Sequence, residues 1–376
     1  VLQIKVGKNP RGIVINSTDT RAYVHNFISR DVSVVDLTLA REDVMATLPS
    51  AALPAAGTQD EKVHIGKELY NTSIGEFDAA PGTTAPLVGR MSNKGWGSCA
   101  SCHTPKGLSD NVVWIFPSGP KRTIPQHTDF DQTVAARNVQ RALNWSGERD
   151  EEEDFELNIR AVSGGQGLIV LADGVTQEPN VVNLRQAPPA ALLPSGGRNQ
   201  LEVRGVPAWD ALKSYMQFGI RAPLSPLPAT DAQVVAGRAL FTSANCQACH
   251  GGALWTSSRI DFTPPPDAAL ITAGQLTNQL RKVDTFDAAF FNEVNTNGAP
   301  SIGSLGFVPP SLLSIGAFPN SFLHNGSVLS LSGVLDNVTH RSAGTGGVDT
   351  LTNAADRDKV VKFLLSIDAK TVPIAP

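Results

Sequence analysis

Two short segments carry residue types able to do chemistry at a fixed spacing, Cys99-Ala-Ser-Cys102-His103 and Cys246-Gln-Ala-Cys249-His250. In each, two thiols lie on one side of a turn and an imidazole follows directly. A thiol pair alone can form a redox disulfide or half of a zinc site. A shared zinc site needs both pairs close together, yet these pairs lie far apart in the chain and each has its own histidine. The chemistry that uses all three side chains is covalent attachment of haem c. The sulfurs add to the two vinyl groups, and the histidine supplies a nitrogen to the iron. All 4 cysteines of the chain lie in these motifs, so none is left for a structural disulfide. Two haem c groups are therefore expected, one held by Cys99, Cys102 and His103, the other by Cys246, Cys249 and His250. Such attachment needs reduced thiols and an extracytoplasmic assembly machinery, so a periplasmic location is expected.

The second axial position decides what each iron can do. An iron with two protein ligands passes electrons, and one with an open face can take up a small oxidant. The remaining histidines are His25, His64, His127, His324 and His340, and the methionines are Met45, Met91 and Met216. No methionine follows the second motif. His324 and His340 are equal candidates for the second iron, and the one left over is expected to bond a haem propionate. For the first iron the candidate is His127, with an exposed loop histidine as the alternative. Trp114 and Phe116 follow the first motif and are expected to face the porphyrin, with Lys121 or Arg122 pairing its carboxylates. The acidic run from Glu148 to Asp154 reads as a solvated face.

These residues need elements to hold them. Short β-branched runs over 21–26 and 32–37, with a turn cluster at 16–20, predict a β segment over 1–45. An Ala/Pro/Gly stretch at 46–57 and Arg221-Ala-Pro-Leu-Ser-Pro-Leu-Pro228 read as linkers. Helical spacing is present at 63–70, 208–220, 231–241 and 356–367, with Asp231 as a cap. The stretch 131–160 is polar and helical in character, 164–200 is loop-like, and short helices are expected near 275–282 and 286–294. Gly66-Lys-Glu-Leu-Tyr70 and Gly237-Arg-Ala-Leu-Phe241 are a weak internal repeat, each preceding a Cys-x-x-Cys-His motif. The expected fold is mainly α, with two tandem cytochrome c-like domains over 46–228 and 229–376, many loops, and the N-terminal β segment.

With 376 residues, 41% hydrophobic and 18% charged, the chain can build more than one core. A formal charge of −4 gives no reason to expect nucleic acid as a partner. No apolar run is long enough to predict a membrane span. The chain begins at Val1 within a strand-like pattern and shows no signal peptide, so a processed or truncated form is expected.

The C-terminal half, Pro309-Pro-Ser-Leu-Leu through Phe322-Leu-His324-Asn-Gly-Ser327, resembles a signature of the bacterial di-haem cytochrome c peroxidases and MauG, with rubber-oxygenase relatives. Trp145-Ser-Gly-Glu-Arg149 is similar to their segment between the haems. The resemblance runs from about residue 62 to 370. It implies a reactive N-terminal haem, a C-terminal haem that receives electrons from a small redox protein or cytochrome, and Trp145 between them. It also implies hydrogen peroxide or another small oxidant as substrate, a calcium ion between the halves, and a homodimer. The family's distal Met, or the MauG Tyr, falls at Val338 here, which cannot ligate. Its displaceable distal His falls near Gly119, with His127 the nearest replacement. Its distal acid has no clean match, and Glu153, Asp154 or Glu156 stand in for it. Separately, residues 6–36 resemble one blade of a YVTN-type β-propeller, and a lone blade cannot close a propeller.

Three functions follow as expectations. The first is a di-haem peroxidase-like oxidoreductase. The second is an electron-transfer cytochrome with both irons six-coordinate. The third is a MauG-like or oxygenase-like enzyme acting on another substrate.

Overall fold

The computed structural model describes residues 2–38, 41–73, 89–104, 107–116, 119–147, 149, 151–179, 198–259, 280–287, 293, 302–318 and 321–376. The N-terminal part is an antiparallel meander of four strands in sequence order, β1 (Pro10–Ile15), β2 (Arg21–Asn26), β3 (Asp31–Asp36) and β4 (Val44–Pro49). Asn16 shapes the first turn, its side-chain oxygen accepting the Thr20 and Arg21 amides at 2.9 Å each. Strand alternation gathers Ala22, Val24 and Val35 on one face, where Val6, Leu37 and Val44 cover them. The fourth strand continues to Pro49, inside the stretch read as a linker, because Val44 to Pro49 pairs with the free edge of β3. One end of the sheet is tied to the next helix. Lys8 Nζ meets Glu68 at 2.5 Å, Asn9 donates to the Asn71 carbonyl at 3.0 Å, and the Lys67 ammonium lies 3.3 Å from the Phe27 ring centre.

Beyond the sheet the chain forms α1 (Gln59–Asn71), α2 (Cys99–Cys102), a hairpin of β5 (Val113–Phe116) and β6 (Gly119–Arg122), and α3 (Glu156–Ala161). A two-residue hairpin, β7 (Glu202–Val203) and β8 (Val206–Pro207), leads into α4 (Ala208–Ser214), which runs on as a π turn over Tyr215–Gly219. The second half holds α5 (Ala232–Ser243), α6 (Gln247–His250), α7 (Leu331–Asp336), α8 (Val338–Arg341) and α9 (Ala354–Ser366).

Two helix crossings organise the larger cores. α1 crosses α4, burying Ile65, Leu69 and Tyr70 against Trp209, Leu212 and Tyr215. α5 crosses α9, burying Val234 and Phe241 against Val360 and Phe363. Thr58 and Asp231 cap the leading helices by accepting first-turn amides. At each crossing a glycine makes room for backbone. A Cβ on Gly66 would lie 1.9 Å from the Ala211 carbonyl oxygen, and one on Gly237 would lie 1.9 Å from that of Lys359. The internal repeat of the sequence is thus a repeated helix crossing.

The expectation of a mainly α chain of two cytochrome c-like domains is not met. The longest helices have 13 residues, a four-stranded antiparallel sheet heads the chain, and loops carry much of the rest. The stretch 131–160 accounts for part of the shortfall. Among its described residues only a 3-10 turn at Glu153–Phe155 and α3 are helical. Its polar side chains bind loop backbone instead. Asp131 accepts the Thr133 amide, and Arg141 reaches the carbonyls of Pro125, Thr128 and Ala142. The helices expected near 275–282 and 286–294 fall largely outside the described residues. Among the described residues no helix is long and apolar enough to cross a membrane.

Candidate functional site

The two Cys-x-x-Cys-His motifs open into two separate cavities. In the first half, Cys99 and Cys102 sit on α2, which begins at a box of paired hydroxyls, Ser98 and Ser101. The cavity beside them has a volume of about 840 Å³. The β5–β6 hairpin supplies Trp114, Phe116 and Lys121 to its wall. Burial holds His103 down at about 4, so its imidazole is neutral at neutral pH, the form that can ligate a metal. Both thiols are free. Two thiols and a neutral imidazole on one edge of a roomy, largely apolar cavity fit a covalently held haem. Among the described lining residues no second histidine faces His103, and the other soft donors are the thioethers of Met91 and Met216.

His127 is not part of this lining. It is wholly buried, its Nε2–H donates to the Leu313 carbonyl at 2.9 Å, and its ring stacks on Phe318 with centroids 5.6 Å apart. It is neither an exposed loop residue nor a neighbour of the first cavity, and it links the two halves.

In the second half, Cys246, Cys249 and His250 lie on or beside α6 and line the other cavity. The His250 Nδ1–H donates to the Pro310 carbonyl at 3.0 Å, which leaves the Nε2 lone pair free. Pro310 belongs to the Pro-Pro-Ser-Leu segment singled out in the sequence. α8 brings His340 to the opposite side, after the Asn337 side chain accepts the His340 amide at 2.9 Å. The His250 and His340 ring centroids are 6.2 Å apart with planes at 64°. Two imidazoles sharing one metal at about 2 Å from each nitrogen have centroids about 6 Å apart. This cavity therefore fits a haem between the two rings.

His324 lines the same cavity in a different way. Its Nε2 is 2.5 Å from Glu293 Oε1, which also accepts from Asn325 at 2.9 Å. Its ring stacks on Phe307 at 3.7 Å and meets Trp145 edge-on at 6.4 Å. The fold thus brings His340, and not His324, opposite His250.

Trp145, Arg122 and Ile124 line both cavities. The Trp145 Nε1–H donates to the Arg122 carbonyl at 2.8 Å, and the Trp145 carbonyl accepts the Val308 amide at 2.8 Å. Trp145 is thus fixed in the wall between them by backbone from both halves.

The described acids of the acidic run do not form a solvated face. Glu151, Glu152, Glu153 and Asp154 are all at most 3% exposed. Lys213 Nζ lies 3.8 Å from Glu152 and 4.0 Å from Glu153. Burial and the neighbouring carboxylates push Glu151 up to about 9, and burial pushes Glu152 upward as well. Glu156 is occupied in full. It accepts from the Leu168 and Ile169 amides, the Trp209 indole and Arg160, and so fastens the 167–169 loop to α4. Glu152 and Glu153 both face Lys213, and of the two only Glu152 lines the first cavity, together with Asp129, which is paired with Arg141 at 2.6 Å. Sequence reasoning missed Glu152. The available signal was the apolar spacing of Phe155, Leu157 and Ile159 just after it, which turns this stretch inward. For the expected calcium ion, no group of three or more His, Cys, Asp or Glu side chains arranged to hold a metal ion occurs among the described residues.

No protein-family profile matches the chain, and no curated protein matches it. Among solved structures the chain is similar to hydrazine synthase from Kuenenia stuttgartiensis, at 15% identity and a TM-score of 0.45, covering 86% of this chain and 99% of that one.

Proposed function

We propose that this chain is a periplasmic di-haem c-type redox enzyme of the cytochrome c peroxidase and MauG superfamily. One haem would be held by Cys99, Cys102 and His103, and the other by Cys246, Cys249, His250 and His340. The observation that carries the reading is that each motif faces its own cavity while one tryptophan, Trp145, walls both. A haem at the first site would supply an iron able to take up a small oxidant and pass it electrons.

The residues around the two sites divide the work. His250 and His340 close the second site from both sides, which suits electron exchange with a small redox protein. Trp145 provides a fixed aromatic path between the sites. In the first site His103 has no histidine facing it, and Glu152 provides a buried acid in the same wall. The substrate class is a small oxidant, hydrogen peroxide first.

Met91 and Met216 favour one alternative. A thioether on the first iron would close it and leave a pure electron carrier. Absorption and electron paramagnetic resonance spectra of the resting and half-reduced protein test this. The enzyme reading expects two covalent haems per chain, a high-spin component, and a cyanide-induced shift at one haem only. A wholly low-spin spectrum that ignores cyanide sinks it. Turnover of peroxide with a reduced cytochrome, compared with oxygen as oxidant, separates peroxidase from oxygenase chemistry.

A further inference from the structure

We propose that Arg122 both seats Trp145 and keeps it from giving up an electron, so that charge crosses between the cavities through the indole without resting on it. The electron path rests on the two-haem reading above. The action of Arg122 on the indole rests on geometry alone.

Arg122 ends β6 and is buried in the wall shared by the two cavities. Its carbonyl accepts the Trp145 Nε1–H at 2.8 Å, and its own amide donates to the His324 carbonyl at 2.6 Å. Its Nε donates to the Leu323 carbonyl at 3.2 Å and its Nη1 to Asn111 Oδ1 at 3.3 Å. These acceptors are all neutral, and among the described residues Arg122 forms no ion pair. The guanidinium carbon lies 5.7 Å from the Trp145 ring centre. Burial lowers Arg122 to about 10, so it remains protonated at neutral pH.

A cation near an indole acts in opposite senses on the two states of the ring. It attracts the neutral ring through the ring quadrupole. It repels the ring that has lost an electron. A unit charge at this separation, in an effective dielectric of about 20, disfavours the oxidised indole by roughly 100-fold. The contact that holds Trp145 therefore also penalises its oxidation. Asn111 supplies a way to change the charge without moving the arginine. It has a left-handed backbone (φ 59°), which aspartate also tolerates.

The purified holoprotein is exposed to hexachloroiridate(IV), a one-electron oxidant that is reduced as an indole is oxidised. Oxidised Trp145 is counted by peptide mass spectrometry, with Trp96 and Trp114 as references in the same chain. Arg122→Gln removes the charge, Asn111→Asp compensates it, and Arg122→Lys keeps it. The first two are expected to raise Trp145 oxidation by about tenfold or more, and the third to stay near wild type. Circular dichroism confirms that each variant is folded. Equal Trp145 oxidation in wild type, Arg122→Gln and Asn111→Asp overturns the proposal. So does an Arg122→Lys variant that oxidises like Arg122→Gln while Asn111→Asp is silent, because seating alone would then explain the contact. A haem assay on the same samples judges the two-haem reading separately. A chain without haem in which both charge variants still raise Trp145 oxidation upholds the action of Arg122 and removes the electron path.

Discussion

The rings of His250 and His340 face each other across the second cavity with centroids 6.2 Å apart, although the two residues lie on different helices in distant parts of the chain. His250 is oriented by its Nδ1–H bond to Pro310, and His340 by the Asn337 cap of its helix. Replacing His340 by Gly should convert the second haem from a six-coordinate to an open spectrum, restored by added imidazole. Replacing His324 by Gln should leave that spectrum in place. It should cost about 2 kcal/mol of stability, because Glu293 loses a buried partner. A spectral change in the His324 variant and none in the His340 variant would reverse the assignment.

Trp145→Phe keeps the ring in the shared wall but removes the Nε1–H bond to Arg122. The expected cost is about 1 kcal/mol in thermal or denaturant unfolding. Haem content and the two haem spectra should stay as in wild type, while electron passage from the second site to the first slows. Stopped-flow oxidation of the pre-reduced protein measures this. An unchanged rate would take Trp145 out of the path.

Gly66→Ala and Gly237→Ala each place a methyl group against backbone oxygen at a helix crossing. Each is expected to destabilise the chain by about 2–3 kcal/mol. Gly97→Ala is the control, since a Cβ there meets nothing within 4 Å. Its effect should lie within about 0.5 kcal/mol of zero.

The buried acids set a pH dependence. Glu151 stands at about 9 in the folded chain against 4.5 for an ordinary glutamate, with Glu153, Asp154, Glu152 and Lys213 around it. The folded state therefore binds more protons than the unfolded state over that interval. Stability falls as pH rises from about 5 toward 9, by at most about 1.4 kcal/mol per pH unit for one group. Glu151→Gln should flatten the slope and exceed wild type in stability at pH 8. Urea midpoints between pH 5 and pH 8 check it, and a slope of the opposite sign would refute it.

What could be read from the sequence was local. The two thiol motifs and their histidines are contiguous, so finding them needs no tertiary information. The caps at Thr58 and Asp231 place their helices because a cap acts within one turn. The choice between His324 and His340 was not legible, since it depends on Glu293 reaching the His324 ring and on Asn337 capping the helix that carries His340. The acidic run was misread for the same reason. Lys213, which faces Glu152 and Glu153, arrives from a helix far along the chain. The fourth strand was hidden by its Ala and Pro content, and only the free edge of β3 calls it into the sheet.

The seam between the halves also imposes a timetable on the making of the molecule. His127 finds Leu313 across 186 residues, and Arg122 finds Leu323 across 201. A chain emerging from its N-terminal end completes the first thiol motif long before the residues that close the wall behind Trp145 exist. The described lining of the first cavity ends at Met216, so that cavity can take shape without them. The second motif enjoys a much shorter interval before His340 follows it. The two cavities should therefore be completed at different times, the second only when His340 has joined the walls that Arg122, Ile124 and Trp145 supply from the first half.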